Sequence, residues 1–287
     1  MSLKTALVDF FSAVLKPGWR AEAVVRPLSA LLGLVGPRKD IARRNLKLVL
    51  PDASPAEREK ALRGTYENIV RVGVEVMILQ RGPEQALEWV EPEGEEHLEA
   101  LRGKPVISIT GHVGNWELLA CWLAQRGHKI TAIVREPDDP DENGLITAMR
   151  ARMGVASLSK RLPMTRAVSL LKRGELLGIL PDQHGGDEGI LSPFFGLETP
   201  TSIGPAVFAW LTGAALLPVS TRRVAPFRHK LRIAPPIEWQ KLDSRDETIR
   251  EITRKVNAAV EDMIREAPDQ WLAQHKRFRE RYDSLRA

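Results

Sequence analysis

The spacing of hydrophobic and polar positions changes near Gly103. Before it, apolar residues recur mostly at helical spacing, as in RKDIARRNLKLVLPDASPAEREKALRGTYENIVRVGVEVMIL, where Ser54 and Pro55 are typical of an N-cap and a first helical residue. After it, short β-branched runs alternate with helical segments: PVISIT, KITAIV, ELLGILPD and ALLPVSTRR. This order predicts an α/β fold with a mostly parallel central sheet flanked by helices. Glycines stand where helix C-caps would fall, at Gly127, Gly174 and Gly213.

The first 36 residues form two apolar stretches, TALVDFFSAVL and VVRPLSALLGLVG. Neither reaches the ~20 residues needed to span a bilayer, because charged residues interrupt them: Asp9, Lys16, Arg20, Glu22 and Arg26. We predict an N-terminal helical arm over residues 1–36 and a larger domain over residues 37–287.

Two interpretations of this arm stay open. It can lie on an anionic membrane surface, with Lys16, Arg20 and Arg26 near the lipid headgroups and an apolar group of side chains buried at the boundary: Phe10, Phe11, Leu28, Leu31 and Leu32. Alternatively, the arm is a helical pair packed on the core of the protein itself.

Composition limits the classes of binding partner and the cellular compartment that we expect. The 287 residues carry a formal net charge of +5, which favours anionic partners. Aromatic residues are few and are not interleaved with basic ones as in a nucleic-acid-binding module, so no nucleic acid partner is expected. A single cysteine, Cys121, excludes an internal disulfide. With no cleavable signal peptide evident, a reducing compartment is expected.

The stretch GHVGNWELLA contains the most informative pair of residues, His112 and Glu117. In one continuous helix a five-residue step would place them about 140° apart. The preceding PVISIT strand and the glycines at Gly111 and Gly114 instead predict a turn, with Asn115 as the N-cap of the next helix. His112 then lies at the carboxyl edge of the sheet, where α/β proteins bind ligands. We expect Glu117, in the first helical turn, to hold the imidazole in one tautomer.

An imidazole held by a carboxylate is a general base that needs a proton donor. The sequence has no G-x-S-x-G motif for a serine nucleophile. Cys121 lies in the apolar run LLACWLA and is predicted to be a small core residue. No HExxH motif occurs and the other histidines are scattered, so no metal site is expected. A substrate hydroxyl or a water remains as the proton donor.

These residues also carry a family resemblance. HVGNWE resembles the HX4D/E motif of glycerolipid acyltransferases. Further blocks follow in order along the chain: IARRNLKLVLPDAS, EREKALRGTYENIVRVGVEVM, IVREPDDP, RARMG, GILPDQ, SPFFGLETPTSIGPAVFAWLTGAALLPV and PDQWLAQHKRFRER. Together they resemble the late acyltransferases of bacterial lipid A biosynthesis, of the lauroyl/myristoyl type, whose relatives include phosphatidylinositol mannoside acyltransferases. The departure is at the N-terminus, where family members often carry a clear membrane helix.

The resemblance implies an O-acyltransferase that moves a fatty acyl chain from acyl carrier protein, or from acyl-CoA, to a hydroxyl of a membrane glycolipid such as a lipid A precursor. His112 would take the proton of the acceptor hydroxyl while its oxygen attacks the thioester carbonyl, with Glu117 orienting the imidazole. Transfer would be direct, without a bound cofactor or metal. The expected location is the cytoplasmic face of the inner membrane, as a peripheral or monotopic protein.

Two alternatives to this function stay open. One is a phosphatidylinositol mannoside or glycerophosphate-type acyltransferase, which uses a different acceptor. The other is a non-catalytic lipid-binding protein with the same fold.

The oxyanion of such a reaction needs hydrogen-bond donors already in place. Our candidates are Asn115, the backbone N–H groups of the Gly114 turn, and Arg150. Asn115 serves equally well as a helix N-cap. Arg150 stands near the end of a predicted helix, where arginines are also common as solvated residues, but a guanidinium there can clamp a phosphate or the oxyanion.

Other candidates follow neighbouring strands or lie further along the chain. Arg135, after KITAIV, is predicted to be a second anion contact. Asp182 and Gln183 end the strand LLGILP and are predicted to bind sugar hydroxyls, or else to make turn and loop hydrogen bonds. Phe194 and Phe195 are candidates for lining the acyl channel, with plain core packing as the alternative.

Overall fold

The computed structural model describes residues 3–135 and 139–279. Part of the block IVREPDDP, residues 136–138, and the end of PDQWLAQHKRFRER lie outside the described residues. The helices are α1 Leu3–Val14, α2 Trp19–Val35, α3 Lys39–Val49, α4 Pro55–Leu79, α5 Gln85–Trp89, α6 Glu95–Glu99, α7 Trp116–Gln125, α8 Pro140–Arg152, α9 Met164–Lys172, α10 Gly204–Thr212 and α11 Arg245–Glu266. The strands are β1 Val90–Glu93, β2 Val106–Ile109, β3 Ile130–Val134, β4 Val155–Ser159, β5 Leu176–Ile179, β6 Ile190–Phe194, β7 Leu197–Thr201, β8 Ala215–Ala225 and β9 Arg228–Ile233.

Seven strands form one central sheet in the order β1-β9-β8-β2-β5-β3-β4. Every neighbouring pair is parallel except β8 and β9, which run antiparallel. Strands β6 and β7 form a separate antiparallel hairpin. The predicted α/β fold with a mostly parallel sheet is confirmed.

The two central strands β2 and β5 are buried along their whole length, as expected for parallel strands covered on both faces. Helices α7 and α8 connect strands in one direction along the sheet and cover one face. Helices α9 and α10 belong to connections running the other way and cover the opposite face. The direction of winding therefore reverses between the adjacent strands β2 and β5.

Local sequence signals fix where many helices begin and end. Ser54 begins α4 with a reciprocal capping box to Glu57, so the predicted N-cap is confirmed. Glycines with positive φ follow α7, α9 and α10 at the three predicted positions, Gly127, Gly174 and Gly213.

The N-terminal arm packs against α4 with one side. Leu15, Ala21 and Val25 are buried there, and Arg71 on α4 binds Glu22 at 2.7 Å. The other side is exposed and apolar: nine of the sixteen large exposed hydrophobic residues in the described part of the chain lie in this arm. Within residues 3–135 and 139–279, no helix combines the length and the apolar character needed to cross a membrane.

Among the side chains predicted to reach lipid, Phe10, Phe11, Leu28 and Leu31 are exposed. Leu32 is half-buried and packs against the core. The arm thus has a core-packed side, as the second interpretation expected, and a free apolar side, as the first requires. Membrane binding itself stays a prediction.

Candidate active site

His112 lies on the loop after β2, and Asp182 lies on the loop after β5. These two strands are neighbours at the point where the winding reverses, which is where open α/β sheets bind ligands. The imidazole Nδ1 of His112 is 2.8 Å from Asp182 Oδ1, and the backbone N–H of His112 donates to Oδ2 at 3.1 Å. The carboxylate therefore fixes both the ring and the backbone of His112.

Asp182 is almost completely buried, with 2% of its surface exposed. Trp271 Nε1 donates a further hydrogen bond to Oδ2 at 3.0 Å. Burial by itself raises the pKa of Asp182, but the charge of the imidazolium of His112 and these hydrogen bonds outweigh it and lower the pKa to about 2. The ionised carboxylate favours a proton on Nδ1, so that Nε2 is the ring nitrogen left to exchange a proton with a substrate.

Glu117 makes a different contact from the one expected. Its carboxylate accepts two hydrogen bonds from Arg150, from Nε at 3.0 Å and from Nη2 at 2.6 Å. The expectation that Glu117 orients the imidazole is wrong, because Asp182 does so. The first turn of α7 presents Glu117 to the end of α8, where Arg150 lies with 18% of its side chain exposed.

Asn115 and Gly114 do not serve as the expected oxyanion donors. Asn115 is fully buried, its Oδ1 caps α7, and its Nδ2 donates to Glu75 at 2.7 Å. The N–H of Gly114 donates to the carbonyl of Gln270 at 3.1 Å. All of these donors are already paired with the protein, so only the N-cap interpretation of Asn115 is confirmed.

A cavity of about 770 Å³ opens beside His112 and extends over both faces of the sheet. On one face its walls come from α7, α8 and the strands beneath them: Leu119, Ala120, Ile130, Ala132, Ile146 and Val155. On the other face they come from α9, α10 and their strands: Ile133, Leu158, Ala167, Val207 and Phe208. Apolar residues from both faces of the sheet therefore line the cavity into which His112 faces.

Some of the polar residues predicted for the site line this cavity, and others do not. Glu117, Arg150, Arg135 and Gln183 line it together with His112. Asp182 does not line the cavity, and both of its carboxylate oxygens already accept hydrogen bonds from His112 and Trp271. The prediction that Asp182 binds a sugar hydroxyl is therefore wrong.

Phe194 and Phe195 do not line this cavity, so their predicted channel role is wrong. Phe194 is fully buried between Phe278 and the guanidinium of Arg277. Phe195 adopts φ 50° at the turn of the β6–β7 hairpin and stacks beneath Arg265. The core-packing alternative holds for Phe194.

Cys121 is buried in α7, as predicted for a small core residue. Burial raises the pKa of its thiol to about 12. A neutral, enclosed thiol is a poor nucleophile.

Two kinds of site residue carry no signal of their own in the sequence. Trp271 lies in the family-like block PDQWLAQHKRFRER, and only the structure shows that its indole N–H binds Asp182. The apolar walls of the cavity come from strand and helix positions whose hydrophobic pattern is that of ordinary core residues. Only the strand order, which places β5 beside β2, reveals the partner of His112.

Comparison with known proteins identifies the family. Residues 13–280 match the family model described as bacterial lipid A biosynthesis acyltransferase. The lipid A biosynthesis palmitoleoyltransferase of Escherichia coli strain K12 is 29% identical over 272 residues, covering 92% of this chain and 84% of that protein. The lauroyltransferase of the same organism is 27% identical over 254 residues, covering 86% and 81%.

A more distant similarity covers a smaller part of the chain. A phosphatidylinositol mannoside acyltransferase of Mycobacterium tuberculosis (strain CDC 1551 / Oshkosh) is 28% identical over 131 residues, 44% of this chain and 42% of that protein. With the family model matching almost the entire chain, this protein is an acyltransferase that belongs to the bacterial lipid A biosynthesis acyltransferase family.

Proposed function

We propose that this acyltransferase moves a fatty acyl chain from a thioester, carried by acyl carrier protein or coenzyme A, to a hydroxyl of a membrane glycolipid such as a lipid A precursor. The observation that carries the proposal is the His112–Asp182 pair beside a cavity of about 770 Å³ that apolar residues from both faces of the sheet line. We assign this cavity to the alkyl chains of the substrates, with the imidazole beside the reacting groups.

The proposed reaction is a direct transfer. His112 Nε2 accepts the proton of the acceptor hydroxyl while the oxygen attacks the thioester carbonyl. The tetrahedral intermediate collapses, the ester forms, and the departing thiolate takes the proton back from the imidazolium. Asp182 stabilises the imidazolium between these two steps.

Arg150 is the proposed contact for negative charge. Its Nε and Nη2 hold Glu117, and within the described residues its third nitrogen, Nη1, has no hydrogen-bond partner. Because the side chain lines the cavity, we assign Nη1 to the developing oxyanion or to a phosphate of a substrate. Arg135, exposed on the cavity rim, is a second anion contact in this proposal.

The acceptor lies in a membrane, so the enzyme must reach a lipid surface. The exposed apolar side of the arm, beside Lys16, Arg20 and Arg26, supports binding to anionic lipid. We propose a peripheral or monotopic enzyme at the cytoplasmic face of the inner membrane. The alternative acceptor, a phosphatidylinositol mannoside, rests on the similarity that covers less than half of the chain.

The test combines two reactions of the purified protein. Hydrolysis of acyl carrier protein and coenzyme A thioesters, measured without acceptor, separates an enzyme from a non-catalytic lipid-binding protein, because water can replace the missing hydroxyl. Transfer to a lipid A precursor in vesicles, followed by mass spectrometry, identifies the acceptor. His112→Ala is expected to lower transfer by about 10²–10⁴-fold. A folded His112→Ala protein with the wild-type rate would refute the mechanism.

A further inference from the structure

A buried charged cluster lies behind the active-site loop and takes no part in the cavity. It consists of Glu75 on α4, Arg223 on β8 and His229 on β9. Arg223 donates from Nε and Nη2 to the two oxygens of Glu75 at 2.9 Å each, and His229 Nε2 lies 3.2 Å from Glu75 Oε2. The exposed fractions of the three side chains are 2%, 7% and 0%.

Burying the Glu75–Arg223 ion pair is costly, and an apolar cluster of similar volume often stabilises a fold as well or better. Burial acts to raise the pKa of Glu75, but Arg223 and His229 outweigh it and keep the pKa below its ordinary value, so the carboxylate stays ionised. The hydrogen bonds that the cluster makes to neighbouring residues indicate its role.

Those contacts converge on the loop that carries His112. Glu75 Oε2 accepts the hydrogen bond from Asn115 Nδ2 at 2.7 Å. Arg223 Nη1 donates to Asn68 Oδ1, and Asn68 Nδ2 in turn donates to the carbonyls of Gly114 and Gln270 at 2.8 Å each. The charged cluster therefore holds the loop through the backbone of Gly114 and the side chain of Asn115.

Steric contact at Gly114 and two further hydrogen bonds also restrict the backbone of the loop that carries His112. Gly114 has φ 63°, and a Cβ there would lie 1.9 Å from the carbonyl oxygen of Thr221. The N–H of Asn115 donates to Thr221 Oγ1 at 3.0 Å, and the carbonyl of His112 accepts from the N–H of Leu272 at 2.8 Å. Val113 and His112, the two residues before Gly114, are thus joined to the charged cluster through the backbone of Gly114.

We infer that Glu75 and Arg223 are positioning residues that, through Asn115 and Asn68, set the place of the His112 imidazole against Asp182 and the cavity. This inference rests on the proposed role of His112. A displacement of about 1 Å at a reacting group can cost about 10²-fold in rate. Glu75 and Arg223 therefore act on the chemical step and have little effect on substrate affinity.

Two variants test the link between the charged cluster and the loop that carries His112. Glu75→Gln keeps the shape but removes the charge, and Asn115→Ser keeps an N-cap oxygen while removing the Nδ2 link to Glu75. At a temperature where circular dichroism shows full folding, each is expected to lower kcat by about 10–100-fold, with the KM of both substrates within about twofold of wild type. Glu75→Gln weakens the same link that Asn115→Ser removes, so the double variant should lose little more than the worse single variant.

The control is Leu79→Ala, which removes a fully buried side chain one turn further along the same helix. It should lower the unfolding temperature but leave kcat per folded molecule unchanged. Wild-type kcat in folded Asn115→Ser or Glu75→Gln, alongside an inactive His112→Ala, overturns the positioning inference alone. An active folded His112→Ala overturns the proposed function on which it rests.

Discussion

Two hydrogen bonds to one buried carboxylate decide how His112 is oriented toward the cavity. Asp182 accepts from the imidazole, from the backbone of the same residue and from Trp271, so its position is over-determined. A rigid, ionised partner orients a base better than a solvated one, because neither its place nor its charge fluctuates with solvent.

The first prediction concerns the acid stability that Asp182 confers. Its pKa is depressed to about 2 in the folded protein against an ordinary value of 3.8. The unfolded chain therefore takes up a proton first as the pH falls, and the stabilisation present above about pH 4 is lost as the pH drops from there toward 2. Thermal unfolding at neutral pH should show Asp182→Asn less stable than wild type.

Melting at about pH 3 gives the decisive comparison for this variant. The gap between wild type and Asp182→Asn should narrow there, because the wild-type advantage depends on ionisation. An equal gap at both pH values would contradict the depressed pKa.

The second prediction concerns Cys121. Because its thiol is buried and its pKa is raised to about 12, it carries no negative charge at neutral pH. Cys121→Ala should keep most transfer activity, and no acyl-protein should be trapped when donor is added alone. A thioester-linked species in the wild type that is missing from the variant would replace direct transfer with a two-step mechanism.

At the scale of elements, two helices on one face of the sheet are joined at the cavity. Glu117 in the first turn of α7 and Arg150 in the last turn of α8 form a bidentate pair with less than a fifth of either side chain exposed. Each charge also lies at the favourable end of its helix dipole. The pair therefore closes one wall of the site and fixes how α7 and α8 approach each other.

The third prediction is that this pair is energetically coupled. In a double-mutant cycle of Glu117→Gln and Arg150→Met, unfolding free energies should show a coupling of about 0.5–3 kcal/mol, because either single change leaves a mostly buried charge unpaired. The matched control is the exposed pair Glu251 and Arg254 on α11. Its coupling should stay below about 1 kcal/mol. Equal coupling in both pairs would show that the cavity wall gains nothing from burial.

At the scale of the whole molecule, the N-terminal arm gives the enzyme an exposed apolar surface on one side. Most of the large exposed apolar side chains of the described chain are gathered there, while its other side is packed on α4. Removing the arm would take away buried residues such as Val25 and uncover the side of α4 on which they pack, so a truncation would mix folding with lipid binding. Point changes on the exposed side avoid this problem.

The fourth prediction is that Phe10→Asp and Leu31→Asp reduce flotation with vesicles containing phosphatidylglycerol, without lowering the unfolding temperature. Phe10 is 60% exposed and Leu31 53% exposed, so neither change disturbs the core. Leu191→Asp, at a 59% exposed position on the β6–β7 hairpin, is the control and should float as wild type does. Salt should weaken wild-type binding, since each basic residue near the surface contributes about 1 kcal/mol. Undiminished flotation of both arm variants would refute membrane binding by the exposed side of the N-terminal arm.

The sequence by itself determined the features that depend on neighbours along the chain. The β-branched runs predicted four of the strands, capping residues such as Ser54 and Asn115 marked helix starts, and the GHVGNWE turn placed His112 at the carboxyl edge of the sheet. These features follow from local backbone preferences and from hydrophobic period, which a sequence displays directly.

Only the tertiary structure decided which side chains meet. Glu117 is five residues from His112 and pairs with Arg150, whereas Asp182 is seventy residues away and holds the imidazole. The reason is the strand order: β5 lies beside β2 although five elements separate these two strands along the chain, and the first turn of α7 presents Glu117 to α8. Contacts across a sheet edge depend on how distant segments pack against one another, and no local pattern in the chain records that arrangement.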